Sequence, residues 1–341
     1  MRTSDRFELP AADDLHVHVR QGDMLQAVAP LVYAGGASRC LAMPNTVPPV
    51  CTAAQAVTYR QALAAAEPRV QWLTALYLTP QLTPDEVQRA ADAGVVAVKC
   101  YPKGVTTNSA SGVEDLRAYG PVFKTLQERG LVLAIHGEVP SSAGPDVCVL
   151  NAEERFLPEL RHLHEAFPRL KMILEHVSTA AAVAAVRALG PTVAATVTPH
   201  HLLLTVDDWA GCPHHYTKPV AKLPADRDAL CAVVREGHPR FFLGSDSAPH
   251  PRAHKECAHP HPGTFSSPLL MPLLADYFES QGCLDRLPDF TSRFGREFYG
   301  LPAGSGARIT LERHTWTVPA AYGDIVPLQA GRKIGWQLAG R

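Results

Sequence analysis

Eight short apolar runs recur along the chain, and the stretches between them carry hydrophobic positions at helical spacing. The runs are LHVHV (15–19), RCLAM (39–43), WLTALYL (72–78), VVAVKC (95–100), LVLAIH (131–136), KMILEH (171–176), TVAATV (192–197) and FFLGSD (241–246). They are rich in Val, Ile, Leu and Ala and mostly lack polar alternation, as strands covered on both faces do. Helix limits are legible between them. Thr83-Pro84-Asp85-Glu86 offers an N-cap threonine, a proline at the first helical position and an acid three residues after the cap. Gly94, Gly130, Gly190 and Gly237 stand where helices would stop, and AAVAAVRALG (181–190) and ADRDALCAVVREG (225–237) read as helices lying on a sheet. Strand and helix alternating eight times predict an α/β protein with the (β/α)8 TIM-barrel fold; an open, doubly wound sheet is the structural alternative. No repeat, low-complexity tract or linker divides the chain. One domain over 1–341 is therefore expected, with a short C-terminal extension from about residue 303, containing ERHTWTVP and DIVPLQAGRKIGW, packed on the barrel.

Composition narrows the class without naming it. Hydrophobic residues at 46% and charged residues at 19% describe a globular chain, and a net charge of -1 gives no pull toward a polyanion, so no nucleic-acid partner is expected. The opening MRTSDRFELPAADD lacks the apolar stretch of a secretory signal, and no run is long enough for a membrane helix. A cytoplasmic protein with no membrane partner is the expectation. The 8 Cys are scattered without CxxC spacing, which argues against a zinc ribbon or a thioredoxin-like motif and fits reduced thiols. Histidine is the outlier, at 16 residues. His162, His164 and His259 read as surface residues.

A barrel of this kind places its chemistry at the C-terminal ends of the strands. Those ends carry His16, His18 and Arg20 (first strand), Pro44-Asn45 (second), Lys99 (fourth), His136 (fifth), His176 (sixth), His200-His201 (seventh), and Asp246 with His250 (eighth). Residues two apart on a strand share a face, roughly 6.6 Å apart. His16 and His18 can thus hold one cation between them. With His136, His176 and Asp246 they make a nitrogen and oxygen donor set suited to zinc. Lys99 is the anomaly, because an unpaired ammonium is costly to bury. As a neutral amine it can add carbon dioxide to give a carbamate, an anion whose two oxygens suit a bridge between metals roughly 3.5–4 Å apart. The bland alternative is a snorkelling lysine. His200 and His201 read as polar core residues, or as neighbours of the ligands.

DDLHVHVR, LAMPNTVPPV, KCYPKGVTTNS, AIHGEV, EHVST, TVTPHHL and GSDSAPH follow in order and spacing the motifs of the dihydroorotases, and the chain resembles the shorter bacterial form of that family within the amidohydrolase superfamily. The resemblance runs from about Asp13 to the C-terminal extension. It implies the reversible cyclisation of N-carbamoyl-L-aspartate to L-dihydroorotate in pyrimidine biosynthesis, by a metal-bridged hydroxide. By the same resemblance, His16 and His18 hold the more buried of two zinc ions and His136 and His176 the other. Carbamylated Lys99 bridges them, and Asp246 is both a ligand and the general acid/base. Arg20, Asn45 and His250 would grip the substrate carboxylate, and Thr106 and Thr107 match a loop that covers the substrate. A homodimer is implied as well.

The chain departs from the family pattern at two places. Thr217-Lys218-Pro219 stands where a cysteine and an apolar residue usually precede the proline, so Lys218 adds charge to the pocket. In the loop after His250, CAHPHPGTF replaces a run whose backbone meets the substrate, and Pro262 has no N–H to offer there. His254 and His261 also lie in this region without an assigned role. Three rival functions stand against this reading. A hydantoinase or dihydropyrimidinase would build a β-sandwich partly from residues before the first barrel strand, and the His-x-His pair at residue 16 leaves little room for one. A deaminase of the superfamily would lack the strand-four lysine. A non-catalytic barrel would be expected to lose ligands.

Overall fold

The structure is a computed structural model that describes residues 5–303 and 306–340. Strand β1 (Arg6–Pro10) stands outside the main sheet. The next eight are β2 (Ala12–Val17), β3 (Ala37–Ala42), β4 (Gln71–Tyr77), β5 (Ala97–Cys100), β6 (Val132–Ile135), β7 (Met172–Leu174), β8 (Val193–Val197) and β9 (Phe241–Leu243), all parallel and adjacent in chain order. The cylinder closes just beyond β9, where Asp246 N–H donates to His16 O at 2.9 Å and His18 N–H donates to Ser247 O at 2.9 Å. Helices cover the outside, as the alternation predicts, and their ends are those read from sequence. Thr83 Oγ1 caps the helix Pro84–Asp92 through Glu86 N, and Gly130 and Gly237 end their helices with φ of 68° and 74°.

The strands are shorter than the apolar runs because β7 and β9 stop before their functional ends. His176 and Asp246 have positive φ, 42° and 46°, which takes them out of the ladder and re-aims their side chains. A register shift in β2 between Asp14 and Val17 does similar work. Leu15 packs inside the barrel and Val17 on its outer side, so strict alternation is broken where His16 begins the polar layer.

Inside the cylinder a layer of Leu15, Leu41, Leu73, Ala97, Val132, Ile173, Ala194 and Phe242 forms a dry floor. Phe294 and Tyr299, from the helix Phe294–Tyr299, pack against the same layer. Gly244 is required by close approach: a Cβ there would stand 2.7 Å from Thr196 Cβ and 2.9 Å from His16 Cβ. The C-terminal extension contributes β10 (Arg308–Thr317) and β11 (Lys333–Leu338); β10 pairs antiparallel with β1 and β11 antiparallel with β10, in the order β1-β10-β11. The extension therefore forms a sheet with the residues that precede the barrel. The extension supplies two of its three strands and the residues before the barrel the third, none of them read as a strand from sequence. Residues 304, 305 and 341 of the expected extension lie outside the described residues.

Candidate metal centre and active site

Every expected metal ligand lies at the C-terminal mouth of the barrel, and all are buried: His16, His18, Lys99, His136, His176 and Asp246. The ring centroids of His16 and His18 are 5.3 Å apart, His16 and His176 5.2 Å, and His136 and His176 4.6 Å. Asp246 Oδ1 lies 3.3 Å from His16 Nε2 and 3.1 Å from His18 Nε2. One donor atom from each of these three residues falls within 4.8 Å of the other two.

The buried atoms that lack a hydrogen-bond partner identify what the site is for. Among the described residues they include His16 Nε2, His176 Nδ1 and Lys99 Nζ. A buried polar atom without a partner costs on the order of 1–3 kcal/mol, so several together mark a place made for something outside the chain. Burial pushes His18 down to about 4, sets His176 well below its ordinary value, and lowers His136 despite the opposing Glu138 carboxylate. These rings are therefore neutral and carry the lone pair that a metal needs. Burial also lowers Lys99, with Glu175 and Asp246 opposing it. Asp246 ends well below the carboxylate range: burial would raise it, but the adjacent His16 and His18 rings outweigh that. The donor set fits a metal centre.

Two acids orient the rings, and sequence reading gave neither a role. His16 Nδ1 donates to Glu175 Oε2 at 2.8 Å, and Thr196 Oγ1 donates to the same oxygen at 2.5 Å. His136 Nε2 donates to Glu138 Oε2 at 2.8 Å. A carboxylate behind a ligating histidine fixes its tautomer and orientation. The available signal was Glu175 itself, an acid at the end of the apolar run KMILEH, next to a ligand.

Of the residues expected on the substrate side, all but His250 line the same opening. A small cavity of about 20 Å³ is lined by Arg20, Asn45, Thr106, Thr107, Lys218 and Pro262, besides the metal-type ligands. Tyr101 and Thr217 line it too, though sequence reading had not assigned them a substrate role. Arg20, with a φ of 68°, extends its guanidinium toward the eighth strand's loop: Nε donates to Pro249 O at 3.3 Å and Nη2 to His250 Nε2 at 3.1 Å. The Asn45 amide donates to Thr107 O at 3.2 Å, and Asn108 Nδ2 donates to Asn45 O at 3.0 Å. Asn45 therefore holds the 103–112 loop over the mouth, and Thr107 Oγ1 lies buried without a partner. The Pro262 carbonyl is 3.1 Å from His250 Nε2, and the next N–H, of Gly263, is taken by Tyr216 O at 2.9 Å. His201 is a satisfied core residue, bonded to Thr198 Oγ1 at 2.9 Å and Pro219 O at 3.1 Å, while His200 Nδ1 meets Thr264 Oγ1 at 2.9 Å.

The amidohydrolase family profile matches residues 41–254. A dihydroorotase of Azoarcus sp. (strain BH72) is 46% identical over 340 residues, covering 96% of this chain and 97% of its own. The chain belongs to the dihydroorotase family of amidohydrolases. The likeness is not confined to bacterial relatives. The crystal structure of dihydroorotase from Saccharomyces cerevisiae in complex with 5-fluoroorotic acid superposes with a TM-score of 0.95 at 41% identity, over 98% of each chain. L-hydantoinase from Arthrobacter aurescens matches at a TM-score of 0.85 but only 19% identity, over 98% of this chain and 85% of its own, and shares the fold alone. The family implies a metal cofactor and a small-molecule substrate. Among the described residues no helix is long and apolar enough to cross a membrane.

Proposed function

We propose that this chain interconverts N-carbamoyl-L-aspartate and L-dihydroorotate, using two zinc ions held by His16, His18, His136, His176 and Asp246 and bridged by Lys99 carrying a carbamate. One observation carries this reading: a lysine amine, fully buried and without a hydrogen bond, lies in the same pocket as imidazole nitrogens that also lack partners. When bound, the metals would lower the pKa of a water and polarise the ring carbonyl. The protein's own groups do the rest. Asp246 takes the proton of the attacking water and delivers it to the ring nitrogen as the C–N bond breaks; in the cyclising direction it runs the same transfer backwards. Glu175 keeps the His16 Nδ1 proton in place, so that Nε2 faces the pocket.

Arg20, Asn45 and His250 receive the substrate's carboxylate, where the guanidinium fork offers two parallel donors. Thr106 and Thr107 close over it and exclude water, and Lys218 adds a positive charge at the rim. Pro262 offers no N–H, which shifts recognition onto side chains. A cytoplasmic homodimer completes the reading and rests on the family. The test is to follow ring opening of L-dihydroorotate by the purified, zinc-loaded protein beside hydantoin and dihydrouracil. Turnover of dihydroorotate is expected; turnover of only the other two would replace this substrate with that of the hydantoinases.

A further inference from the structure

Besides His250, the loop after the eighth strand carries histidines that the reaction does not use, His254 and His261 among them. His250, His254 and His261 present one ring nitrogen each within 4.8 Å of the others. Their rings touch, with centroids 5.1 Å apart for His250 and His261 and 4.9 Å for His254 and His261. His254 and His261 are exposed, whereas His250 is largely buried and meets Arg20, which lines the cavity, without lining it itself. The framework is built rather than loose. His261 N–H donates to His254 O at 2.9 Å, and the buried Lys255 Nζ donates to the carbonyls of Tyr216, His261 and Gly263 at 2.9, 2.7 and 2.8 Å.

We propose that His250, His254 and His261 form a second site for a borderline divalent ion, Zn2+ foremost, and that its occupation withdraws His250 from the substrate. Three imidazoles with a fourth position left to water suit zinc, and the exposed rings can turn the short distance that coordination at 2.0–2.1 Å needs. Burial, with Arg20 nearby, pushes His250 down to about 2, and burial with His254 lowers His261, so both are neutral.

His250 Nε2 already meets Arg20 Nη2 and the Pro262 carbonyl, each at 3.1 Å. Both of these contacts are made by Nε2, which leaves Nδ1 for an ion. An ion on Nδ1 keeps the ring's proton on Nε2. The ring then donates to Pro262 O and can no longer accept from Arg20. The two groups meant for one carboxylate are uncoupled. Arg20 and Lys255 also repel an ion here, so occupancy rises only as free metal rises, and the site senses excess zinc. The inhibitory half of this proposal rests on His250 as a substrate contact; the binding half does not.

The experiment titrates Zn2+ alone into the holoenzyme, with its active-site metals in place, and counts bound metal by equilibrium dialysis. A parallel titration with Co2+ reads the visible absorption of the new site. One further ion per chain is expected in the wild type, and none in the H254A/H261A variant, which keeps its turnover without added metal. Zinc should raise the apparent KM of the wild type at constant kcat and leave the variant's KM unmoved. The same extra ion in wild type and variant, or no extra ion in either, overturns the site. An extra ion lost in the variant while zinc inhibition persists overturns the link to His250. The metal count and the absorption need no turnover, so they stand whichever substrate the protein takes.

Discussion

Strand β2 carries buried polar residues at both ends of the barrel, and the two ends are built differently. At the base, Arg39 is almost wholly buried with all its reach used. Nε donates to Gln71 Oε1 at 2.8 Å, Nη1 to Asp13 Oδ2 at 3.0 Å and Nη2 to Pro302 O at 3.1 Å. One step along, Asp14 receives Ser245 N–H at 2.8 Å and Ser245 Oγ at 2.6 Å. At the mouth, His16 Nε2, Lys99 Nζ, His176 Nδ1 and Thr107 Oγ1 are equally hidden and have no hydrogen bond. Burial alone therefore does not separate structure from function in this barrel. Grouping of unsatisfied atoms does: isolated ones also occur away from the mouth, as at Tyr277 and Tyr299, whereas at the mouth several converge where a ligand can supply what the chain withholds.

The largest effect should come from Lys99→Met. Several kcal/mol of transition-state stabilisation depend on the metals it is proposed to bridge, so kcat/KM should fall at least about 10³-fold. The same change removes an unpaired buried amine, so the metal-free protein should melt no lower than wild type. Retained turnover, or a metal-free protein that melts markedly lower, would put Lys99 with the structural residues. Arg39→Met is the mirror experiment. It leaves Asp13 buried without its partner at a cost of about 3–5 kcal/mol in stability. Activity per folded molecule should be unchanged, because Arg39 lies at the opposite end of the strands. Denaturant unfolding and active-site titration read the two quantities separately.

This contrast also explains what could be read from the chain. Strands covered on both faces declare themselves as apolar runs, and histidines at their ends cannot be mistaken for packing once His16, His18, His136 and His176 occur in register. The architecture and the gathering of these side chains at the barrel mouth were therefore legible. Strand β1 was not, because RFELP pairs with residues 308–312, which lie some three hundred positions later. Glu175 was hidden for a related reason: its partner, His16, is 159 residues away. The early ends of β7 and β9 depend on positive φ at His176 and Asp246, and apolar periodicity carries no information about backbone sign. Sequence reads Asn45 as a substrate contact; what the structure shows is its amide tying down the loop above the mouth.

Glu175→Gln sharpens the comparison within the mouth. Its Oε2 accepts from His16 and Thr196, whereas its Oε1 has no partner, so it stands midway between the two kinds of buried group. The amide keeps the size and one acceptor but loses the charge behind His16. Metal affinity should fall about 10- to 100-fold, as for other residues that orient a ligand. Turnover should recover when excess zinc is supplied. A loss of activity that zinc does not restore would mean that Glu175 contributes to the reaction beyond holding His16.

The smallest expected effect is the most discriminating, because it compares two hydroxyls of the same size. Ser245 Oγ donates to Asp14, so Ser245→Ala should cost about 1–3 kcal/mol of stability by leaving that buried carboxylate short of a donor. Thr107 Oγ1 gives and receives nothing in the described residues, so Thr107→Val removes a hydroxyl that stabilises no fold contact and should leave unfolding unchanged or slightly harder. If that hydroxyl is reserved for the substrate, its absence appears only on binding. KM should rise about tenfold, equivalent to about 1.4 kcal/mol, while kcat changes little. A Thr107→Val protein that unfolds more easily with an unmoved KM would make the hydroxyl an ordinary loop contact, and would take from the loop its place over the substrate.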